Sequence, residues 1–209
     1  LVGEMIGKKR GSIITLANDF GKSLEAGFKE KAAEFGIEIL GEYDYSIKDR
    51  EFGPIVSKVK AEAPDAIYAS GYFFTAGPLV SQLRAAGVDV PVIGQEGYDG
   101  EMFIKIAGAA AEGVIITTSL DRDSTEPLAQ AFIQGFQKKS GYPADMVSAS
   151  THTAVLVLAE AMKQVDPSDK VALRDAIAST SINAATGHIS FNKLGEVRKS
   201  VQVQVVRDG

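Results

Sequence analysis

The amino-acid sequence predicts an α/β fold with a doubly wound parallel sheet, followed by a mostly helical segment that looks like part of a second domain. Two observations carry the prediction. Short apolar runs alternate with helical patterns through the first 120 positions, at intervals of roughly 25 residues. Such alternation is typical of parallel strands joined by right-handed helical crossovers. After Ser119 the alternation stops, and most of the remaining sequence has helical periodicity.

Five strands are predicted in the first part of the chain. Their predicted limits are Gly11–Ala17, Ile37–Tyr43, Asp65–Gly71, Val90–Gly94 and Gly113–Ser119. The first run places apolar residues on both sides of the strand, as expected for a strand covered on both faces of a parallel sheet.

Helical patterns fill the intervals between these strands. Their predicted limits are Asp19–Phe35, Phe52–Ala63, Thr75–Ala86 and Gly100–Ala107. The first pattern places one apolar stripe along the helix, formed by Leu24, Phe28, Ala32 and Phe35. Gly36, Pro64 and Gly87 are typical helix terminators and set the ends of the first three helices.

The later part of the chain is predicted to hold three helices and two strands. The predicted helices are Leu128–Ser140, Met146–Val165 and Lys170–Ser179, and the predicted strands are Gly187–Asn192 and Ser200–Val206. Pro127 should open the first of these helices, with Ser124 or Thr125 as its cap. The second should carry one apolar face, made of Thr151, Ala154, Val155, Leu158, Met162 and Val165. Residues 121–199 have little sheet of their own to cover.

Composition excludes several classes of function. The 209 residues are 45% apolar and 23% charged, which is ordinary for a globular protein. A net charge of −5, with Lys8–Arg10 as the one dense basic run, argues against a nucleic-acid partner. The absence of Cys excludes disulfides, thiolate metal sites and a Cys nucleophile. No apolar run is long enough to insert into a membrane, and residues 1–10 resemble the end of a helix rather than a signal peptide. We therefore expect the chain to begin partway through a larger protein.

Motifs for catalysis and cofactor binding are missing. Gly21-Lys22-Ser23 resembles the end of a phosphate-binding loop, but Leu16 stands where that loop needs its first glycine. No dinucleotide fingerprint follows the first strand. His152 and His188 are far apart in sequence, so neither a catalytic nor a metal site is expected. We predict no cofactor and no enzymatic activity.

The carboxyl ends of the strands carry an unusual set of side chains. Open α/β sheets bind ligands at this edge, and here Phe20, Tyr72 and Glu96 follow the first, third and fourth strands. Each has a plainer interpretation: Phe20 as a core residue, Tyr72 as a surface turn residue and Glu96 as a solvated turn charge. Together, aromatic walls with one carboxylate favour a pocket for a small molecule that carries an ammonium group.

Several segments resemble one family, the type I periplasmic binding proteins, in particular the leucine/isoleucine/valine-binding receptors of ABC transporters. The similar segments include residues 9–14 with the Asn18–Gly21 turn, Ile67–Tyr72, Leu79–Gly87, Gly94–Gly97 and Ala107–Val114. Each segment alone is only weakly specific for the family, but their order and spacing together are quite specific. The resemblance covers essentially the whole chain.

The resemblance implies two lobes that close around an amino acid. Residues 1–120 and 200–209 would form the second lobe, and residues 121–199 would return to a first lobe whose larger part precedes this chain. Tyr72 would match an aromatic wall residue and Glu96 the carboxylate that takes the ligand ammonium. Phe20 stands where amino-acid binders often have Tyr, so one hydroxyl is lost. The resemblance also implies a periplasmic or extracellular location, an upstream signal peptide and a membrane permease as partner.

Two other functions remain open at this stage. The same fold could serve as the ligand-sensing domain of a signalling receptor or of an amide-responsive regulator. A nucleotide-using α/β enzyme is a more remote alternative, because the phosphate-binding loops are missing.

Overall fold

The structure is a computed structural model that describes residues 2–4 and 7–209. The chain forms two compact units: the first extends to Thr117 and includes Val203–Gly209, and the second is Thr118–Gln202. The helix end predicted for residues 1–10 falls partly on Leu1, Met5 and Ile6, which lie outside the described residues. Residues 2–4 form a turn.

The strands within the described residues are short and spread over both units. They are β1 (Arg10–Leu16), β2 (Glu38–Tyr45), β3 (Ala66–Ala69), β4 (Val92–Gly94), β5 (Ile115–Thr118), β6 (Ile182–Ala184), β7 (Gly187–Phe191), β8 (Val197–Arg198) and β9 (Gln202–Val205). The six-stranded sheet has the order β2-β1-β3-β4-β5-β9, and the pairs from β2 to β5 are parallel.

Seven α-helices lie in the part of the chain that the structure describes. They are α1 (Asp19–Glu34), α2 (Gly53–Glu62), α3 (Phe73–Ala85), α4 (Glu101–Ala107), α5 (Pro127–Ser140), α6 (Met146–Met162) and α7 (Lys170–Ser179). The predicted α/β class with a mainly parallel sheet is confirmed. No helix in the described ranges combines the length and the apolar character needed to cross a bilayer.

Cores lie on both faces of the six-stranded sheet because successive side chains of a buried strand point to opposite sides. On one face, Ile67 of β3 packs with residues of α2, α3 and α4, such as Val59, Leu79 and Phe103. On the other face, Tyr68 stacks on Phe28 of α1, with ring centroids 4.3 Å apart.

Helix α1 differs from its predicted apolar stripe. Ala32 is buried and Phe28 half-buried, but Phe35 is 40% exposed. Glu25 is buried instead, and its carboxylate is paired with Lys22 at 2.9 Å. An ion-paired carboxylate can replace an apolar side chain here, which periodicity alone does not indicate.

The second unit contains α5, α6 and α7 with a three-stranded antiparallel sheet of order β6-β7-β8. Strands β6 and β8 were not predicted. The cap predicted for α5 was wrong: its N-cap is Glu126, which makes no side-chain capping hydrogen bond. Pro127 at the first helical position fixes the backbone there and lacks an N–H to cap.

The apolar face predicted for α6 is not the face that is buried within this unit. The residues buried there are Met146, Ala149, Thr153, Val157 and Ala161, whereas Val155 is 60% exposed and Leu158 is 42% exposed. The helix is apolar on most sides, so its sequence does not determine which stripe is buried. A cleft of ≈ 350 Å³ within this unit is lined partly by Ala154 and Leu158.

Candidate ligand-binding site

Three turns meet at the carboxyl edge of the six-stranded sheet, after β1, β3 and β4. The Ser70 hydroxyl accepts a hydrogen bond of 3.0 Å from the Leu16 amide, which links the ends of β1 and β3. The Gln95 side-chain amide donates to the Ala69 carbonyl at 2.7 Å, which links β3 and β4. Because Ser70 and Gln95 are both buried, these bonds are shielded from water and hold the turns in a fixed arrangement.

Glycines allow these turns to approach one another closely. A Cβ at Gly97 would lie 2.0 Å from the Gly71 carbonyl oxygen and 3.3 Å from the Tyr72 Cα. A Cβ at Gly21 would lie 2.0 Å from the Leu16 carbonyl oxygen. Both positions therefore exclude any side chain, for reasons of contact rather than of backbone angle.

An aromatic wall is formed by Phe20, Tyr72 and Phe74. The Phe20 and Tyr72 rings are stacked with centroids 5.3 Å apart and an interplanar angle of 10°. Tyr72 and Phe74 are stacked at 5.7 Å and 22°. All three side chains are half-buried, so each keeps surface that another molecule can contact.

The start of α3 explains the position of this wall. The helix begins at Phe73, two residues earlier than predicted, with Tyr72 as its N-cap. The Tyr72 amide donates to the Thr75 hydroxyl at 3.2 Å, and that hydroxyl donates to the Tyr72 carbonyl at 3.0 Å. Tyr72 is thereby fixed in extended conformation at a helix entry, and Phe74 follows it in the first turn.

Tyr45 is a buried residue that holds the turn carrying the aromatic wall. It was not among the site residues predicted from the sequence. Its hydroxyl donates to the Ser70 carbonyl at 2.7 Å and lies 3.1 Å from the Thr75 hydroxyl. Burial raises the pKa of Tyr45 to about 12, so the phenol keeps its proton, and with it this hydrogen bond, into the alkaline range. The available signal was an aromatic residue at the end of the second strand.

Glu96 begins a short 3-10 turn, Glu96–Tyr98, directly after β4. Its side chain is partly buried. It stands between buried Gln95 and the Gly97 that fits against Gly71 and Tyr72. The structure thus brings Phe20 and Tyr72 into contact and places Glu96 in the adjoining turn.

Ion pairs surround the start of α1, beside Phe20. The Lys22 ammonium lies 2.6 Å from Asp44 and 2.9 Å from Glu25. The hydrogen bond to Asp44, followed by that to Glu25, raises the pKa of Lys22. Burial would raise the pKa of Glu25, but its hydrogen bond and charge interaction with Lys22 lower it overall. Lys22 of the Gly-Lys-Ser segment is thus engaged by carboxylates.

Arg50 is a second residue that sequence reasoning missed. Its guanidinium carbon lies 5.3 Å from the centre of the Phe74 ring. It comes from the loop between β2 and α2, and only the folded chain shows that this loop reaches the wall.

This edge offers half-buried aromatic faces and the Glu96 carboxylate, which suit a ligand with an ammonium group. No cluster of three or more side chains suited to a metal ion occurs within residues 2–4 and 7–209. His152 and His188, the two histidines of the sequence, belong to the second unit.

A sequence profile described as periplasmic binding protein matches residues 2–209. The chain belongs to the periplasmic binding protein family. The resemblance drawn from the sequence is confirmed.

Relatives of this periplasmic binding protein are named as amino-acid-binding proteins. The leucine-, isoleucine-, valine-, threonine- and alanine-binding protein of Pseudomonas aeruginosa is 23% identical over 197 residues, which cover 94% of this chain and 52% of that protein. Leu/Ile/Val-binding protein homolog 3 of Brucella melitensis is 26% identical, over 90% of this chain and 51% of that protein. The chain spans about half the length of these relatives.

Solved periplasmic binding protein structures agree closely in fold. A leucine binding protein from Thermotoga maritima superposes with a TM-score of 0.93 at 27% identity, covering 99% of this chain and 60% of that one. A branched-chain amino acid transporter substrate binding protein from Streptococcus pneumoniae, in complex with isoleucine, has a TM-score of 0.87 at 25% identity, covering 98% of this chain and 59% of that one.

Proposed function

We propose that this chain is part of a solute-binding protein of an ABC transporter and that it binds an amino acid, branched-chain or related, without chemical conversion. The stacked pair Phe20 and Tyr72, beside the turn that carries Glu96, is the observation that carries the proposal. The names of the relatives, which bind leucine, isoleucine and valine, support the ligand class.

In this proposal Glu96 takes the ligand ammonium. A charge-assisted hydrogen bond between carboxylate and ammonium is stronger than a neutral one. An ammonium group is also attracted to the face of Tyr or Phe, so Tyr72 and Phe20 contribute in the same place. A nucleophile with an activating base is not part of this arrangement, and we infer binding without catalysis.

We further propose that residues 1–120 and 200–209 belong to one lobe and residues 121–199 to the other lobe of the whole protein. The exposed apolar side of α6, which includes Val155 and Leu158, supports this, because a helix that is apolar on most sides is normally covered. Ligand would then favour the closed state by contacting both lobes. Segments Ser119–Asp121 and Arg198–Ser200 are the proposed hinge.

The proposed partners follow from the family. A membrane permease would receive the ligand-bound form, and the protein would work in the periplasm or outside the cell. Family membership and the relatives' names are the support for both.

The role of Glu96 is tested by a thermal-shift screen of amino acids on the protein expressed from its complete gene. Glu96→Gln keeps the shape of the side chain and removes its charge, so the stabilisation by leucine or its analogues should largely disappear. Glu112→Gln is the matched control, since Glu112 is an exposed carboxylate that precedes β5, away from this edge. An unchanged response in the Glu96 variant would refute the ammonium role.

A further inference from the structure

The positively charged side chain of Arg50, on the loop that follows β2, lies against the aromatic wall. The guanidinium carbon of Arg50 is 5.3 Å from the Phe74 ring centre, and Phe74 is stacked on Tyr72. Arg50 therefore continues the row of Phe20, Tyr72 and Phe74 by one further group. Its side chain is exposed, so the cation is accessible from solvent.

The loop that carries Arg50 is anchored on both sides of this residue. The Gln82 side chain of α3 donates to the Arg50 carbonyl at 2.7 Å and accepts from the Phe52 amide at 2.7 Å. Arg50 Nη1 donates to the Ile47 carbonyl at 2.9 Å and to the Asp49 carbonyl at 2.7 Å. The guanidinium is thus positioned by its own loop as well as by the ring.

Much of the hydrogen-bonding capacity of Arg50 is not used by the protein. A guanidinium has five N–H donors in one plane, and the two bonds above involve Nη1 alone. Within residues 2–4 and 7–209, the hydrogen bonds of the Arg50 guanidinium to protein groups are those of Nη1 to the Ile47 and Asp49 carbonyls. The Nε and Nη2 edge can hold a carboxylate with two parallel hydrogen bonds.

On the basis of the proposed function, we propose that Arg50 binds a carboxylate of the ligand and selects an elongated zwitterion. The ammonium group lies at Glu96 and Tyr72, the carboxylate lies at Arg50, and a ring or carbon chain lies along the aromatic wall between them. Phe74 separates Arg50 from Tyr72 in this row. An α-amino acid carries both charges on one carbon, so it can contact either Glu96 and Tyr72 or Arg50, but not all of them at once.

Calorimetry on the protein expressed from its complete gene tests this with three probes. Benzylamine carries the ammonium alone, 4-(aminomethyl)benzoate adds a remote carboxylate, and leucine has both charges on one carbon. We expect 4-(aminomethyl)benzoate to bind about tenfold more tightly than benzylamine, as one charge-assisted pair predicts. Arg50→Gln should reduce this ratio to about one, because it should weaken 4-(aminomethyl)benzoate more than benzylamine or leucine. Lys48→Gln is the control, since it removes an exposed charge from the same loop.

Two results would overturn the role of Arg50: equal binding of benzylamine and 4-(aminomethyl)benzoate by the unmodified protein, or a ratio that survives Arg50→Gln. An equal loss for all probes in that variant is a case of the second result, because the ratio is unchanged, and it would indicate a structural role. Glu96→Gln separates this inference from the proposed function. If it weakens all three probes while Arg50→Gln leaves the ratio unchanged, only the Arg50 inference fails. If Glu96→Gln changes nothing, or no amine binds, both fail.

Discussion

The phenol of Tyr45 donates a hydrogen bond of 2.7 Å to the carbonyl oxygen of Ser70, and this bond ties the end of β2 to the turn that presents Tyr72. Tyr45 is only 3% exposed and Ser70 is fully buried. A donor placed there holds a backbone carbonyl that would otherwise be buried without its partner. The position of the aromatic wall thus depends on Tyr45, which is too buried to contact a ligand itself.

Tyr45→Phe should lower the free energy of unfolding by about 1–2 kcal/mol, because the buried carbonyl loses its donor. The measurement is urea denaturation at pH 7 of the variant and the unmodified chain. Tyr142→Phe is the control, since Tyr142 is 57% exposed, and it should change little. A variant as stable as the unmodified chain would show that Thr75 or water replaces the phenol.

The raised pKa of Tyr45 gives this bond a pH signature. Its folded pKa is about 12 against an ordinary value of 10.0, so the folded state holds the phenolic proton more tightly than the unfolded state does. The resulting stability is fully present below pH 10 and is lost as pH rises toward 12. In urea denaturation series between pH 9 and about pH 12, the free energy of unfolding should fall less steeply with pH for Tyr45→Phe than for the unmodified chain. Equal slopes would contradict the assignment.

The ion pairs at the start of α1 predict the opposite pH dependence. Lys22 lowers the pKa of Glu25, so the stability from this pair is present above the ordinary carboxyl pKa and is lost as pH falls. Lys22→Met should cost about 0.5–1 kcal/mol at pH 7 and much less at pH 3. Lys31→Met, which removes an exposed pair with Glu34, serves as control. A cost that persists at pH 3 would point to lost packing of the lysine stem.

The sequence was sufficient for the succession of the first five strands along the chain and for the sheet edge at which Phe20 and Tyr72 meet. Apolar runs such as Ile13–Leu16 and Ala66–Ala69 are buried on both faces, so their pattern is unambiguous. Because β1 and β3 are neighbours in the sheet, residues that follow them, Phe20 and Tyr72, come within contact of each other. The roles of Phe20, Tyr72 and Glu96 in binding remain predictions.

Other features depend on tertiary contacts that a single sequence does not contain. Arg50 reaches Phe74 only because Gln82 of α3 holds its loop. Glu25 is buried only because Lys22 and Lys29 come from the same helix face to meet it. The sequence of α6 does not show which of its sides is buried, because Val155 and Val157 are equally apolar and the fold alone decides which of them is covered.

Gly97 should tolerate no side chain. A Cβ there would lie 2.0 Å from the Gly71 carbonyl oxygen, so Gly97→Ala must push apart the turns that carry Glu96 and Tyr72. We expect a loss of about 1–3 kcal/mol in unfolding free energy, measured by urea denaturation. Gly27→Ala, inside α1 with no atom within 4 Å of its new Cβ, should instead stabilise by up to about 1 kcal/mol. A neutral Gly97→Ala would refute the close approach of the two turns.

The chain of residues 1–209 should bind leucine weakly or not at all by itself. If ligand is held by both lobes, contacts from one lobe alone cannot favour the closed state. Isothermal titration calorimetry of residues 1–209 with leucine should show no saturation at micromolar concentrations. The protein expressed from its complete gene, titrated in parallel, should saturate. Micromolar affinity of residues 1–209 alone would contradict the two-lobe proposal and would mean that the aromatic wall and Glu96 suffice for binding.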